Sequence, residues 1–172
     1  MKNPLGQAWE DWISQGEPYD WFATFTFRQD RYGRQVRDWV RKQKKYQVQE
    51  AINALFKPHP PVLVDRQEAK KMFARWCGRL KASLGGAKIG YALRIEKHQS
   101  GAIHLHALIK GKELSEKDRQ TWEDKWVNDL GGGKAEVLLA RQGSAANYIT
   151  KYIKPLADET EIEVWGLVPA RT

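Results

Sequence analysis

Apolar and polar residues alternate at period two along two neighbouring runs of this chain. In the later run Ile103, Leu105, Ala107 and Ile109 hold one parity while His104, His106 and Leu108 hold the other; in the earlier run Tyr91, Leu93 and Ile95 stand against Arg94, Glu96 and His98. Successive side chains of a strand leave to opposite faces, so each run predicts a half-buried strand with its aliphatic set toward the core. Trp21, Ala23, Phe25 and Phe27 alternate in the same way with Thr24, Thr26 and Arg28, a third strand with one polar face. Ala135–Ala140 reads as a further strand, buried if continuous, and the tail, where Val164–Val168 follows a run of acidic residues, as a candidate edge strand.

Helical spacing fills the remainder. Leu5, Trp9, Trp12 and Ile13 predict a short amphipathic helix packed on the outside of the domain. Asp65 and Glu68 have capping-box spacing ahead of Ala69, Phe73, Trp76, Leu80 and Leu84, a core helix that Gly85-Gly86 closes. Ser115–Asp118 opens another helix, with Trp122, Trp126, Val127 and Leu130 on one face and Gly131–Gly133 ending it. Those tryptophans suit a core better than a base-stacking surface. Ser144 can cap a short helix that Pro155 terminates, on which Tyr148, Lys151 and Tyr152 share a face, the two tyrosines about 6 Å apart along the axis.

The two alternating runs predict a hairpin. With Gln99, Ser100 and Gly101 as a three-residue loop, and Gly101 left-handed, Glu96 falls opposite His104, and both imidazoles leave the same side as the carboxylate. A loop of two or four residues would turn Glu96 into the core, where an unpaired carboxylate is costly. A His-x-His on a strand is a weak signal by itself. A carboxylate in register makes Glu96, His104 and His106 a candidate cation site, suited to Mn²⁺, Zn²⁺ or another transition metal, and to Mg²⁺ when phosphate and water complete the shell. His98 shares the parity and is a possible substitute ligand, although a solvated residue beside the turn explains it as well.

Length and charge narrow the partner. One domain is the simplest organisation for 172 residues. A net charge of +8 favours a polyanion, and nucleic acid is the common one. Between Arg28 and Lys45 eight basic residues face only Asp30 and Asp38; Arg34, Arg37, Arg41 and Lys44 recur at helical steps beside Val36, Trp39 and Val40. This predicts a basic ridge suited to a DNA backbone, although a solvated charged face has the same pattern, and residues 29–64 read as a helical elaboration inserted into the domain. The single cysteine, Cys77, excludes an internal disulfide framework. No run approaches the roughly 18 apolar residues of a membrane span, and Met1–Glu10 lacks a signal-peptide centre, so the expectation is a soluble cytoplasmic protein with no membrane partner. The chain has no Gly-x-x-x-x-Gly-Lys-Ser/Thr loop, so duplex unwinding would fall to a partner.

Three pieces in order resemble the HUH endonucleases, and among them the rolling-circle replication initiators of phages, plasmids and small single-stranded DNA viruses. Ala23–Phe27 is similar to the family's first strand motif, His104-Leu-His106 to its histidine-hydrophobic-histidine motif with Glu96 as third ligand, and Tyr148-Ile-Thr-Lys151 to its Tyr-x-x-Lys motif. Tyr152 gives the spacing of the two-tyrosine branch, although single-tyrosine relatives can carry a tyrosine there, so one nucleophile or two stays open. The resemblance covers roughly residues 23 to 154; the basic elaboration at 29–64 has no counterpart in it. It implies an α+β domain, a central antiparallel sheet of about five strands with helices on one face and the active site on the other. It also implies metal-dependent nicking and rejoining of single-stranded DNA at a replication origin, with a hairpin as its expected form and Mn²⁺ or Mg²⁺ as cofactor. Tyr148, Lys151 and Tyr152 would be catalytic. Thr24, Thr26, Arg28, Arg34, Arg37, Arg41, Lys44, Arg94 and Lys154 would touch DNA, and host helicase and polymerase would be partners. A transposase or relaxase of the same chemistry is the nearest alternative. A nonenzymatic nucleic-acid-binding module would show aromatic residues on the exposed strand face, where the sequence has Thr24, Thr26, Glu96, His104 and His106.

Overall fold

The structure is a computed structural model that describes residues 4–15, 18–28, 63–98, 101–141, 149 and 160–165. Arg34, Arg37, Arg41, Lys44, Tyr148, Lys151, Tyr152 and Lys154 lie outside the described residues, as does most of the 29–64 elaboration. The elements in chain order are α1 (Pro4–Ser14), β1 (Trp21–Thr26), α2 (Arg66–Ser83), β2 (Ile89–Lys97), β3 (Ile103–Gly111), a 3₁₀ turn (Leu114–Glu116), α3 (Arg119–Asp124), which widens into a π turn (Lys125–Asp129), β4 (Ala135–Leu139) and β5 (Thr160–Trp165). The strands form one five-stranded sheet in the order β4-β1-β3-β2-β5, with every pairing antiparallel.

Parity divides the sheet as the alternation predicts. Trp21, Ala23 and Phe25 of β1, Leu93 and Ile95 of β2, and Leu105, Ala107 and Ile109 of β3 enter one core with Phe73, Trp76 and Leu80 of α2 and with Trp122 and Trp126. Phe25 is the hub, its ring 5.8, 5.0 and 4.5 Å from those of Phe73, Trp76 and Trp126. The tryptophans are core residues. The Trp76 indole donates to the Trp122 carbonyl at 3.0 Å, and that of Trp126 to the Thr26 carbonyl at 2.9 Å.

Local chemistry sets the element ends. Asp65 caps α2 by accepting from the Glu68 amide at 2.8 Å, and Gly85 and Gly86 leave the helix at positive φ. The next helix is capped by Asp118 rather than by Ser115: Asp118 accepts from both the Thr121 amide and hydroxyl, and Ser115 lies inside the preceding 3₁₀ turn. Leu63 and Val64, read as the end of the insertion, belong to the domain proper, with Val64 buried in the core.

Two elements differ in position from the sequence reading. α1 does not pack on a remote exterior; Ile13 and Trp9 join Tyr19, Phe22, Ala92, Leu108, Ile149 and Ile162 in a second, smaller cluster on the opposite face of the sheet. β4 is an edge strand that alternates buried and exposed positions instead of being buried throughout, and Leu138 and Leu139 are exposed.

Candidate active site

Three strands build the polar half of that second face. His98 donates its amide to the Ala102 carbonyl at 2.9 Å, Gly101 bonds back to His98 and has φ +82°, and the ladder pairs Glu96 with His104 and Arg94 with His106. The hairpin is therefore the three-residue one. On its other side β3 pairs Thr24 with His106 and Thr26 with His104. Two cross-rows result, Thr24–His106–Arg94 and Thr26–His104–Glu96, and beyond them the apolar row Phe22–Leu108–Ala92 lies under the second cluster.

A chain of polar contacts runs across these rows. The Thr24 hydroxyl meets His106 Nδ1 at 3.2 Å, His106 Nε2 meets Glu96 Oε2 at 3.3 Å, and Glu96 Oε1 meets an Arg94 guanidinium nitrogen at 3.2 Å. Arg94 is 1% exposed. As placed it is an internal partner of Glu96 rather than a surface cation. Thr26 is likewise used internally: its hydroxyl accepts from the Lys134 amide at 2.7 Å and donates to the Lys134 carbonyl at 3.1 Å. Arg28, just past β1, is exposed.

The electrostatics keep both imidazoles neutral at ordinary pH. Burial, reinforced by the Arg94 charge and opposed by Glu96, brings the His106 pKa down to about 4. Burial and the neighbouring His98 lower that of His104 against the pull of Glu96. A neutral imidazole is the form that ligates a metal, so two such rings with one carboxylate are the right donors for a divalent cation.

The backbone fits such an ion better than the side chains as they stand. Among the described residues no group of three His, Cys, Asp or Glu converges on one point. Glu96 is engaged with His106, while the His104 ring lies 3.9 Å from that of His98. Closing the set takes a rotation of the His104 side chain from His98 toward Glu96, its direct cross-strand neighbour. His98, read from the sequence as a solvated turn residue or a spare ligand, is exposed and serves as the resting partner of His104.

Sequence reading missed the internal roles of Arg94 and Thr24. Both share the parity of the histidines, and that was the available signal. Burial of Cys77 pushes its thiol well above the usual range, which leaves it a packing residue. Ile149, which follows Tyr148 in sequence, is helical and fully buried in the cluster on the face that carries the histidines.

Residues 57–156, more than half of the chain, match the model of a family described as Replication-associated protein ORF2. The match spans α2, the β2–β3 hairpin and the Tyr148–Tyr152 segment, and begins after β1. Comparisons with curated proteins and with solved structures give no match.

Proposed function

The chain belongs to this replication-associated protein family, a class of nicking nucleases, and from that premise we propose that it nicks and rejoins single-stranded DNA at a replication origin by tyrosine transesterification. The observation that carries this reading is the register of the hairpin, which sets Glu96 opposite His104 with His106 next on the same face. Glu96, His104 and His106 would hold Mn²⁺ or Mg²⁺. Bound there, the ion supplies a Lewis acid to the nonbridging oxygens of the scissile phosphate.

Tyr148 is the nucleophile. Its phenol, with an ordinary pKa of about 10, must lose its proton as it attacks. The phenolic oxygen bonds to phosphorus, the bond from phosphorus to the 3′ oxygen breaks, and that oxygen takes up a proton. The products are a 5′-phosphotyrosine and a free 3′-OH for a polymerase to extend. The exchange keeps one phosphoester for another, so a later 3′-OH can reverse it and rejoin the strand. Lys151, close behind in sequence, offsets charge on the phosphate or leaving oxygen, and Tyr152 is available for a second transfer. The burial of Ile149 on the histidine face supports a nucleophile in this part of the chain.

A labelled single-stranded origin oligonucleotide incubated with Mn²⁺ should give a covalent protein–DNA band. The band should vanish with chelator, in His106→Ala and in Tyr148→Phe. Its survival in Tyr148→Phe together with its loss in Tyr152→Phe would move the nucleophile to Tyr152, and no band in the wild-type protein with any divalent ion would end the proposal.

A further inference from the structure

A cleft of about 240 Å³ opens beside His104, at the turn end of the sheet. Phe27, Leu63, Val64 and Ile103 give it apolar surface, His104 is the wall it shares with the candidate active site, and the exposed Arg28 completes the lining. The cleft is built by three segments distant in sequence. Phe27 packs its edge on Trp126 with ring centroids 5.4 Å apart, Leu63 reaches over the hairpin turn at Gly101, and Val64 and Ile103 are core residues. Its surface is therefore anchored from below.

We propose that this cleft receives one unstacked nucleobase of the single strand whose phosphate is cleaved next to it. Three observations point to that occupant. The volume lies below the roughly 300–1,000 Å³ that encloses a drug-sized ligand, which suits a single flat ring system. Two aromatic side chains, aliphatic surface and an arginine are what proteins use to hold unpaired bases, because every base offers a π-face and its phosphate a charge. And the cleft is continuous with the catalytic face through His104, so a nucleotide in it is an immediate neighbour of the reacting phosphate. Such a base would fix the register of the strand across the sheet, a task that Thr24, Thr26 and Arg94, each engaged within the protein, do not visibly perform. The proposal rests on the strand-cleavage reading and adds a base-binding site to it.

The test measures binding of labelled oligothymidylate, oligodeoxyadenylate and oligodeoxycytidylate by fluorescence anisotropy, alongside an abasic strand of equal length. Ala102 also lines the cleft, and Ala102→Leu fills it from the side without touching the Glu96, His104 or His106 side chains. The expected result is about tenfold weaker binding of the preferred base-bearing strand, equivalent to about 1.4 kcal/mol, with binding of the abasic strand unchanged. Leu63→Ala, which removes a wall and adds no bulk, should weaken the same strand in the same direction and covers the case in which Ala102→Leu fails to fold. Wild-type affinity in both variants, with the covalent adduct still formed, would overturn the cleft alone. An equal loss on the abasic strand would also overturn it. A wild-type protein that binds no single strand defeats the cleavage reading and the cleft with it.

Discussion

Thr24 is the residue whose role changes most between sequence and structure. A hydroxyl both donates and accepts, so Thr24 can serve either tautomer of His106: it donates to Nδ1 when Nε2–H points to Glu96, and accepts from Nδ1–H when the Nε2 lone pair faces a cation. Thr24→Val removes both options at nearly equal volume, and should weaken Mn²⁺ binding about 10- to 100-fold by titration calorimetry. Thr24→Ser should restore most of it; equal affinity in the valine variant would make Thr24 a packing residue. His106 makes a second residue-scale prediction. With its folded pKa near 4 and an unfolded value of about 6.5, the unfolded state binds the extra proton between those limits. Stability from this group is therefore complete above pH 6.5 and lost as pH falls toward 4. In chelator, the melting temperature should fall over that interval more in wild type than in His106→Gln, and parallel profiles would show that the ring titrates normally.

At the scale of elements, glycines reveal where backbones meet. A Cβ on Gly132 would overlap the Trp126 indole nitrogen, the atom that donates to Thr26, whereas one on Gly78, on the exposed side of α2, meets nothing within 4 Å. The same change should thus have opposite signs. Gly132→Ala should destabilise by about 1–3 kcal/mol through overpacking, with a larger effect if the Trp126 bond breaks, and Gly78→Ala should stabilise by roughly 0.5–1 kcal/mol by removing a helix-interior glycine. Chemical denaturation of the two variants measures both. The edge strand β4 shows another local device. Glu123 accepts the Val137 amide at 2.7 Å, which occupies a donor that would otherwise be open to a foreign strand.

For the whole molecule the two sheet faces are the organising fact. α2 and α3 seal one face; on the other, α1 and Ile149 cover the apolar rows and leave the polar rows beside the turn. α2 carries six basic residues and one acidic, Glu68, on the side away from the histidines, so positive charge alone does not locate the DNA. Neutralising Lys71 and Arg75 on α2 should leave the salt dependence of single-strand binding unchanged. Neutralising Arg37 and Arg41 should reduce the slope of log K against log salt by about 0.7 for each phosphate that the protein no longer neutralises; a reversed outcome would put the strand on the α2 face. How much of the fold and the site was readable from the chain follows from the range of the forces involved. Strand parity, the loop that sets Glu96 against His104, and the Asp65 cap depend on residues near in sequence and on period, and they could be read directly. The cap at Asp118, the burial of Arg94, the face chosen by α1 and the pairing of His104 with His98 could not. Each depends on which of two satisfactory partners a side chain finds when distant segments pack, and local pattern carries no information about that choice. Sequence by itself determined which donors stand on the catalytic face. Only the tertiary structure decided which of them touch, because burial and competition among neighbours are properties of the assembled sheet.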